Sequence, residues 1–122
     1  MLGPIQAVEL LMTSPNQQTY SAGDKIFEIG SVGEVMYGVI EGTVELWVDG
    51  QVVETIAAGD IFGEGALVQN THLRASTAVA KTDCRLTLID AAHFKFLVQE
   101  TPLFALEVIR SLSTRLRVLK AA

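Results

Sequence analysis

The chain has 122 residues, of which 49% are hydrophobic, 7% aromatic and 19% charged, with a mean hydropathy of +0.36. That length leaves room for one ordinary domain with a sizeable core, and the composition is too apolar for a disordered chain yet has no run long enough to span a membrane. Nine basic against 14 acidic residues give a net charge of −5, which argues against holding nucleic acid by neutralising many phosphates.

Met1–Thr13 predicts a short helix. It has no basic segment at its start and carries Glu9 within its apolar stretch, so it does not read as a signal peptide. Ser14-Pro15-Asn16 ends it before a first strand around Thr19-Tyr20. Glycine then punctuates the chain: nine of the ten lie from Gly23 to Gly65, and none follows. Between them stand strand-length runs rich in β-branched and aromatic residues, Lys25–Ile29, Val35–Ile40, Thr43–Val48 and Gln51–Ile56. In the third, Val44, Leu46 and Val48 alternate with Thr43, Glu45 and Trp47, the pattern of a half-buried strand. Asp49-Gly50 after it is the pair that a type I′ hairpin turn prefers.

Two further strand-like segments, Arg74–Ala80 and Cys84–Ile89, flank the turn Lys81-Thr82-Asp83. Asp90 is a good N-cap for a helix over Ala91–Gln99, and Thr101-Pro102 suits the start of a longer one reaching Lys120. There Leu103, Leu106, Ile109, Leu112, Leu116 and Leu119 recur at three- and four-residue steps, a stripe expected to face the core, with Arg110, Arg117 and Lys120 opposite. The end of that stripe could also continue into a dimer seam. Many short strands followed by two helices read as an antiparallel β-roll or barrel with terminal helices.

Charge is unevenly placed. Met1 to His72 holds ten acids and one base, Lys25, for a net of −9, whereas Leu73 to Ala122 holds eight bases and four acids, for +4. Arg74 is the first arginine in the chain. It stands ten positions after Glu64, which follows a strand end at Gly63 and precedes a helical turn of small residues. Glycines let backbone N–H groups approach an anion, and an arginine bonds phosphate oxygens. A carboxylate fits beside a phosphate only if it accepts from a neighbouring sugar hydroxyl, so Glu64 and Arg74 together point to a nucleotide with one anionic group. A triphosphate would require more cations and a G-x-x-x-x-G-K-[ST] loop, which the sequence lacks.

The segment Phe62-Gly63-Glu64-Gly65-Ala66-Leu67 followed by Arg74-Ala75-Ser76 resembles the phosphate-binding cassette of the cyclic nucleotide-binding domains of the catabolite-activator and protein-kinase-A regulatory-subunit superfamily. Tyr20–Phe27, Gly30–Tyr37 and Ile40–Val44 upstream, and Ala80–Cys84, Ile89-Asp90 and Phe94 downstream, are similar to that family's strands and first C-terminal helix. The resemblance implies that Glu64 accepts the ribose 2′-hydroxyl and Arg74 pairs with the cyclic phosphate, within a ligand set of Gly63, Glu64, Gly65, Ala66, Leu67, Arg74, Ala75 and Ser76. Ala75, where cGMP-preferring relatives often carry a hydroxyl, favours cAMP over cGMP, while Ser76 and Thr77 bring hydroxyls that could reach phosphate or base. Gly38 stands where a bulkier residue is usual and could alter a pocket wall.

The expected fold is mainly β, a double-stranded β-helix or jelly-roll-like β-roll with flanking N- and C-terminal helices. One domain would cover residues 1–122: a helical segment over 1–17, the roll over 18–90 with its cassette at 62–76, and helices over 91–122. The expected function is a non-catalytic, cytoplasmic sensor module, with no cofactor and no metal, that binds cAMP, or else cGMP, and relays it through the C-terminal helices to an effector protein or an output domain in trans. A homodimer through the last helix is a further expectation, and neither nucleic acid nor membrane is an expected partner. The alternative is a ligand-free interaction domain in which Glu64 and Arg74 simply pair with each other. His72 and His93 read as surface residues rather than metal ligands, and Cys84 as a buried structural thiol.

Overall fold

A computed structural model describes Pro4 and residues 16–121. The helix expected over residues 1–17 therefore falls, apart from Pro4, Asn16 and Gln17, outside the described residues. Among the described residues are the strands β1 (Gln17–Tyr20), β2 (Lys25–Phe27), β3 (Val35–Glu41), β4 (Thr43–Val48), β5 (Gln51–Ala57), β6 (Ile61–Phe62), β7 (Thr77–Ala80) and β8 (Cys84–Asp90). One helical turn, α1 (Gly65–Val68), separates β6 from β7, and the helices α2 (Ala91–Glu100) and α3 (Pro102–Ala121) follow β8. The strands pair antiparallel in two four-stranded sheets, ordered β1-β8-β3-β6 and β2-β7-β4-β5, so the mainly β roll read from the sequence is the fold.

Two apolar layers hold it together. Between the sheets, Tyr37, Val39, Val44, Leu46, Ile56, Phe62 and Leu86 pack with the Cys84 thiol. On the outer face of the first sheet, Met36, Ile61 and Ile89 meet Leu97 of α2 and Phe104 and Val108 of α3. Because β3 is covered on both faces, its run from Val35 to Ile40 is apolar throughout rather than alternating. Gly38 shares the helix-side face with Met36, which places it away from the face that carries Tyr37 and Val39. The β4–β5 hairpin turns through Asp49 and Gly50 at φ 52° and 75°, as a type I′ turn demands. A bulge between Leu46 and Trp47 then interrupts the register, and Trp47 is half-buried with its indole N–H lacking an acceptor.

Three local expectations change. β2 stops at Phe27, because the Ile29 N–H is taken by the Thr77 hydroxyl instead of a ladder carbonyl. β7 begins at Thr77 rather than Arg74, whose main chain bonds to Ser31 and Gly30 outside the ladder. The third concerns α3. Asp90 caps α2 by accepting from the His93 N–H at 2.8 Å, as expected, and Thr101 joins the two helices through Leu97 and Phe104. Yet Leu103, Leu106, Ile109, Leu116 and Leu119 are exposed, while Phe104, Glu107, Val108, Ser111 and Arg115 face inward. Polar groups take the inner face because they find partners there: Ser111 donates to Asp60, and Arg115 to Glu54 and to the Ile61 carbonyl.

This assignment of faces is open to measurement. Phe104→Ala should lower unfolding stability by about 3–5 kcal/mol, and Ile109→Ala by less than about 0.5 kcal/mol, in urea denaturation of dilute protein; equal losses would mean that α3 packs the other way round.

Candidate functional site

The β2–β3 turn, the β6–α1 corner and the loop before β7 converge on one residue. Arg74 donates its backbone N–H to Ser31 at 2.8 Å and accepts from the Gly30 N–H at 2.8 Å, while Leu73 bridges to Val32. The side chain then turns inward. Its Nη1 donates to the Gly63 carbonyl at 2.9 Å and its Nη2 to the Val35 carbonyl at 2.6 Å, and its guanidinium lies 4.1 Å from the centre of the Phe27 ring. Phe27, Tyr37 and Phe62 pack against one another beneath it. Glycine is required on both sides of this seat: a Cβ on residue 33 would lie 2.4 Å from the guanidinium carbon, and one on residue 63, at φ 77°, 2.9 Å from Nη1.

Glu64 occupies the opposite wall. One carboxylate oxygen, Oε2, accepts from the Gly65 N–H at 3.0 Å, so Glu64 caps α1. The other, Oε1, is buried without a hydrogen bond, 3.9 Å from Nη2 of Arg115. Among the described residues Glu64 and Arg74 form no ion pair with each other, contrary to the arrangement in which they merely tie the loop to the sheet. Between them opens a cleft of about 400 Å³. Of the expected ligand set it is lined by Gly63, Glu64, Gly65, Ala66, Arg74, Ala75 and Ser76; Leu67 turns instead toward the helix-covered cluster. Thr77 is absent from the lining, its hydroxyl already accepting from Ile29. Being a single turn, α1 contributes little macrodipole, so the anion-binding capacity rests on Arg74 and first-turn N–H groups.

Sequence reasoning did not find Arg115 or Glu54. Both line the cleft, brought there by α3 and β5 from 61 positions apart, a separation over which no spacing signal exists. His72 is exposed, with Nδ1 2.8 Å from the Ala66 carbonyl, and no group of three His, Cys, Asp or Glu that could hold a metal occurs among the described residues.

A family model described as a cyclic nucleotide-binding domain matches residues 17–101. The chain belongs to the cyclic nucleotide-binding domain family. It is 40% identical over 86 residues to a cAMP-dependent protein kinase regulatory subunit of Eremothecium gossypii, covering 70% of this chain and 19% of that protein. Among solved structures it is similar to the Thermus thermophilus catabolite activator protein, with a TM-score of 0.75 and 28% identity over 94% of this chain and 56% of that one. It is also similar to the regulatory domain of Toxoplasma gondii PKA solved with cAMP, at a TM-score of 0.59 and 30% identity, over 65% of this chain and 31% of that one. The chain spans 19–24% of the length of the protein kinase regulatory subunits it matches.

In this cyclic nucleotide-binding domain the electrostatics follow from burial. Desolvation lowers the Arg74 pKa from its ordinary value, opposed by Tyr37 and Glu64. Desolvation likewise raises Glu64 above the usual carboxylate range, opposed by Arg115 and by the Gly65 N–H and reinforced by Glu54. A carboxyl whose folded pKa is raised contributes stability below its unfolded pKa and loses that contribution as pH rises through the folded value. Ionised Glu64 therefore costs stability at neutral pH. Glu64→Gln should melt above wild type near pH 7, with the gap narrowing as pH falls through the raised value toward the ordinary carboxylate pKa and staying flat below it; a pH-independent gap in calorimetry would contradict the assignment.

Proposed function

We propose that this domain is a non-catalytic sensor that binds a cyclic nucleoside monophosphate, cAMP ahead of cGMP, in the cleft between Glu64 and Arg74. One observation carries the reading: a single cleft holds a guanidinium and a buried carboxylate oxygen that have, among the described residues, no ion-pair partner and no donor respectively. A singly charged phosphodiester next to a ribose hydroxyl supplies both missing partners. The cleft volume lies within the range of small-ligand sites. Gly63, Gly65, Ala66, Ala75 and Ser76 contribute backbone and small-side-chain contacts around the ribose-phosphate, with Leu67 as packing support from behind. Ala75 offers no hydroxyl to a guanine, which supports cAMP.

The relay passes through α3. Arg115 reaches from it into the cleft and meets Glu54 on one side and Glu64 on the other, so a ligand that engages Glu64 alters the electrostatics that hold the helix. The output is a population shift between helix positions, read by an effector protein or an output domain in trans. We assign the module to the cytoplasm and treat residues 1–122 as one unit; no described helix is long and apolar enough to cross a membrane. The exposed stripe of Leu106, Ile109 and Leu116 on α3 supports self-association into a homodimer.

Calorimetric titration should show saturable binding of cAMP, tighter than that of cGMP. Absence of heat and of any thermal shift at millimolar ligand would overturn the reading in favour of a ligand-free interaction domain. Arg74→Ala should weaken cAMP binding by about 2–4 kcal/mol, and Arg74→Lys by less, while normal binding by the alanine variant would misplace the phosphate. Light scattering of micromolar protein, with Ile109→Glu as control, should give twice the monomer mass for wild type only.

A further inference from the structure

Arg115 has three acceptors within reach and serves them unequally. Its Nε donates to Oε1 of Glu54 at 2.7 Å and its Nη1 to the Ile61 carbonyl at 2.8 Å, but Nη2 stands 3.9 Å from Oε1 of Glu64. The last separation is an ion pair without a hydrogen bond. All three side chains are largely shielded, Arg115 at 16%, Glu54 at 22% and Glu64 at 18% exposure, so solvent screens their attraction only in part. Glu54 sits on β5, the edge strand of its sheet, and its side chain borders both the ligand cleft and a groove beneath the end of α3. The proposed binding mode needs Oε1 of Glu64 to stay open for an incoming hydroxyl. That oxygen is buried and has no bond of its own, which makes it the natural target of a nearby guanidinium. What draws the guanidinium elsewhere is the stronger hydrogen bond to Glu54.

We infer that Glu54 is a positioning residue for the ligand site: by holding the Arg115 guanidinium toward β5 it keeps Oε1 of Glu64 available to the ligand hydroxyl. The inference rests on the proposed binding mode and adds a residue that acts on it from outside the cassette. Once Glu54 is removed, Nη2 has only about 1 Å to travel to reach hydrogen-bond distance from Glu64. A hydroxyl would then have to displace a charge-assisted bond instead of filling an empty position.

The test compares cAMP with its 2′-deoxy analogue on wild type, Glu54→Ala, Arg115→Gln and the double variant. Both ligands carry the same phosphate and base, so the ratio of their affinities isolates the hydroxyl contact and cancels the general effect of deleting an acid beside an anion. Wild type should prefer cAMP by at least about 10-fold, and Glu54→Ala should reduce that preference at least fivefold. Glu54→Ala made in the Arg115→Gln background should leave the preference within twofold of Arg115→Gln alone, because Glu54 acts only through the arginine. An unchanged ratio in Glu54→Ala, or an equal loss in both backgrounds, would overturn the inference. A ligand-free measurement separates its failure from failure of the binding mode. Carbon-detected NMR titration of the Glu64 carboxyl should show Glu54→Ala lowering the midpoint more when Arg115 is present than when it is glutamine. Equal lowering in both backgrounds overturns the inference whether or not nucleotide binds, whereas wild type that binds neither ligand overturns the binding mode alone.

Discussion

Arg74 is 5% exposed, and the hydrogen bonds of its guanidinium end on two main-chain carbonyls rather than on a carboxylate. Two neutral acceptors and the face of Phe27 solvate a cation incompletely, and moving a charge out of water without an opposite charge is costly. Much of the local architecture exists to make that position tolerable. Gly33 and Gly63 withdraw their side chains from it, the Gly30–Ser31 turn pins its backbone, and β3 presents the Val35 carbonyl at its first residue. The result is a preorganised cation seat, which is what the proposed phosphodiester site relies on. The proposed binding mode is compatible with a net charge of −5, since one buried cation in a preorganised seat outweighs a diffuse surface potential.

How far the sequence discloses this depends on the range of the interaction. The β4–β5 hairpin was legible because Asp49-Gly50 and the alternation of Val44 and Leu46 are local features with local causes, and the cap at Asp90 was legible for the same reason. The family was legible because the residues that mark it, Gly63, Glu64 and Arg74, lie within a dozen positions. The face of α3 was not. That helix carries two apolar stripes, Phe104 and Val108 on one side and Leu106, Ile109 and Leu116 on another, and periodicity alone ranks the richer stripe as the core. What decides between them is Arg115, whose partners on β5 and β6 are distant in sequence. A polar residue chose the buried side of an apolar helix, which inverts the rule that the pattern was read by. The bulge at Trp47 escaped notice for a simpler reason: one extra residue in β5 leaves no mark on composition.

Arg115 and Arg74 also divide the work of the site. Arg74 belongs to the roll and is locked by main-chain bonds, so it has little freedom to report whether a ligand is present. Arg115 belongs to a helix that meets the roll through one apolar cluster and the Ser111–Asp60 bond, and besides its bond to the Ile61 carbonyl its contacts with Glu54 and Glu64 are side chain to side chain. In the proposed mechanism the first arginine provides affinity and the second provides communication.

The groove of about 370 Å³ under the end of α3 gives that helix an unusual mechanical character. It is lined by Val52, Val53 and Thr55 below and by Val118 and Leu119 above, yet Val118 and Leu119 are 64% and 49% exposed. Among the described residues Arg115 is thus the last fastening point, and the turn and a half beyond it overhangs a groove that no described side chain fills. A beam clamped at one point and unsupported past it turns a small tilt at the clamp into a larger excursion at the tip. The final residues of α3 have clearance to settle toward β5 without first expelling a packed side chain.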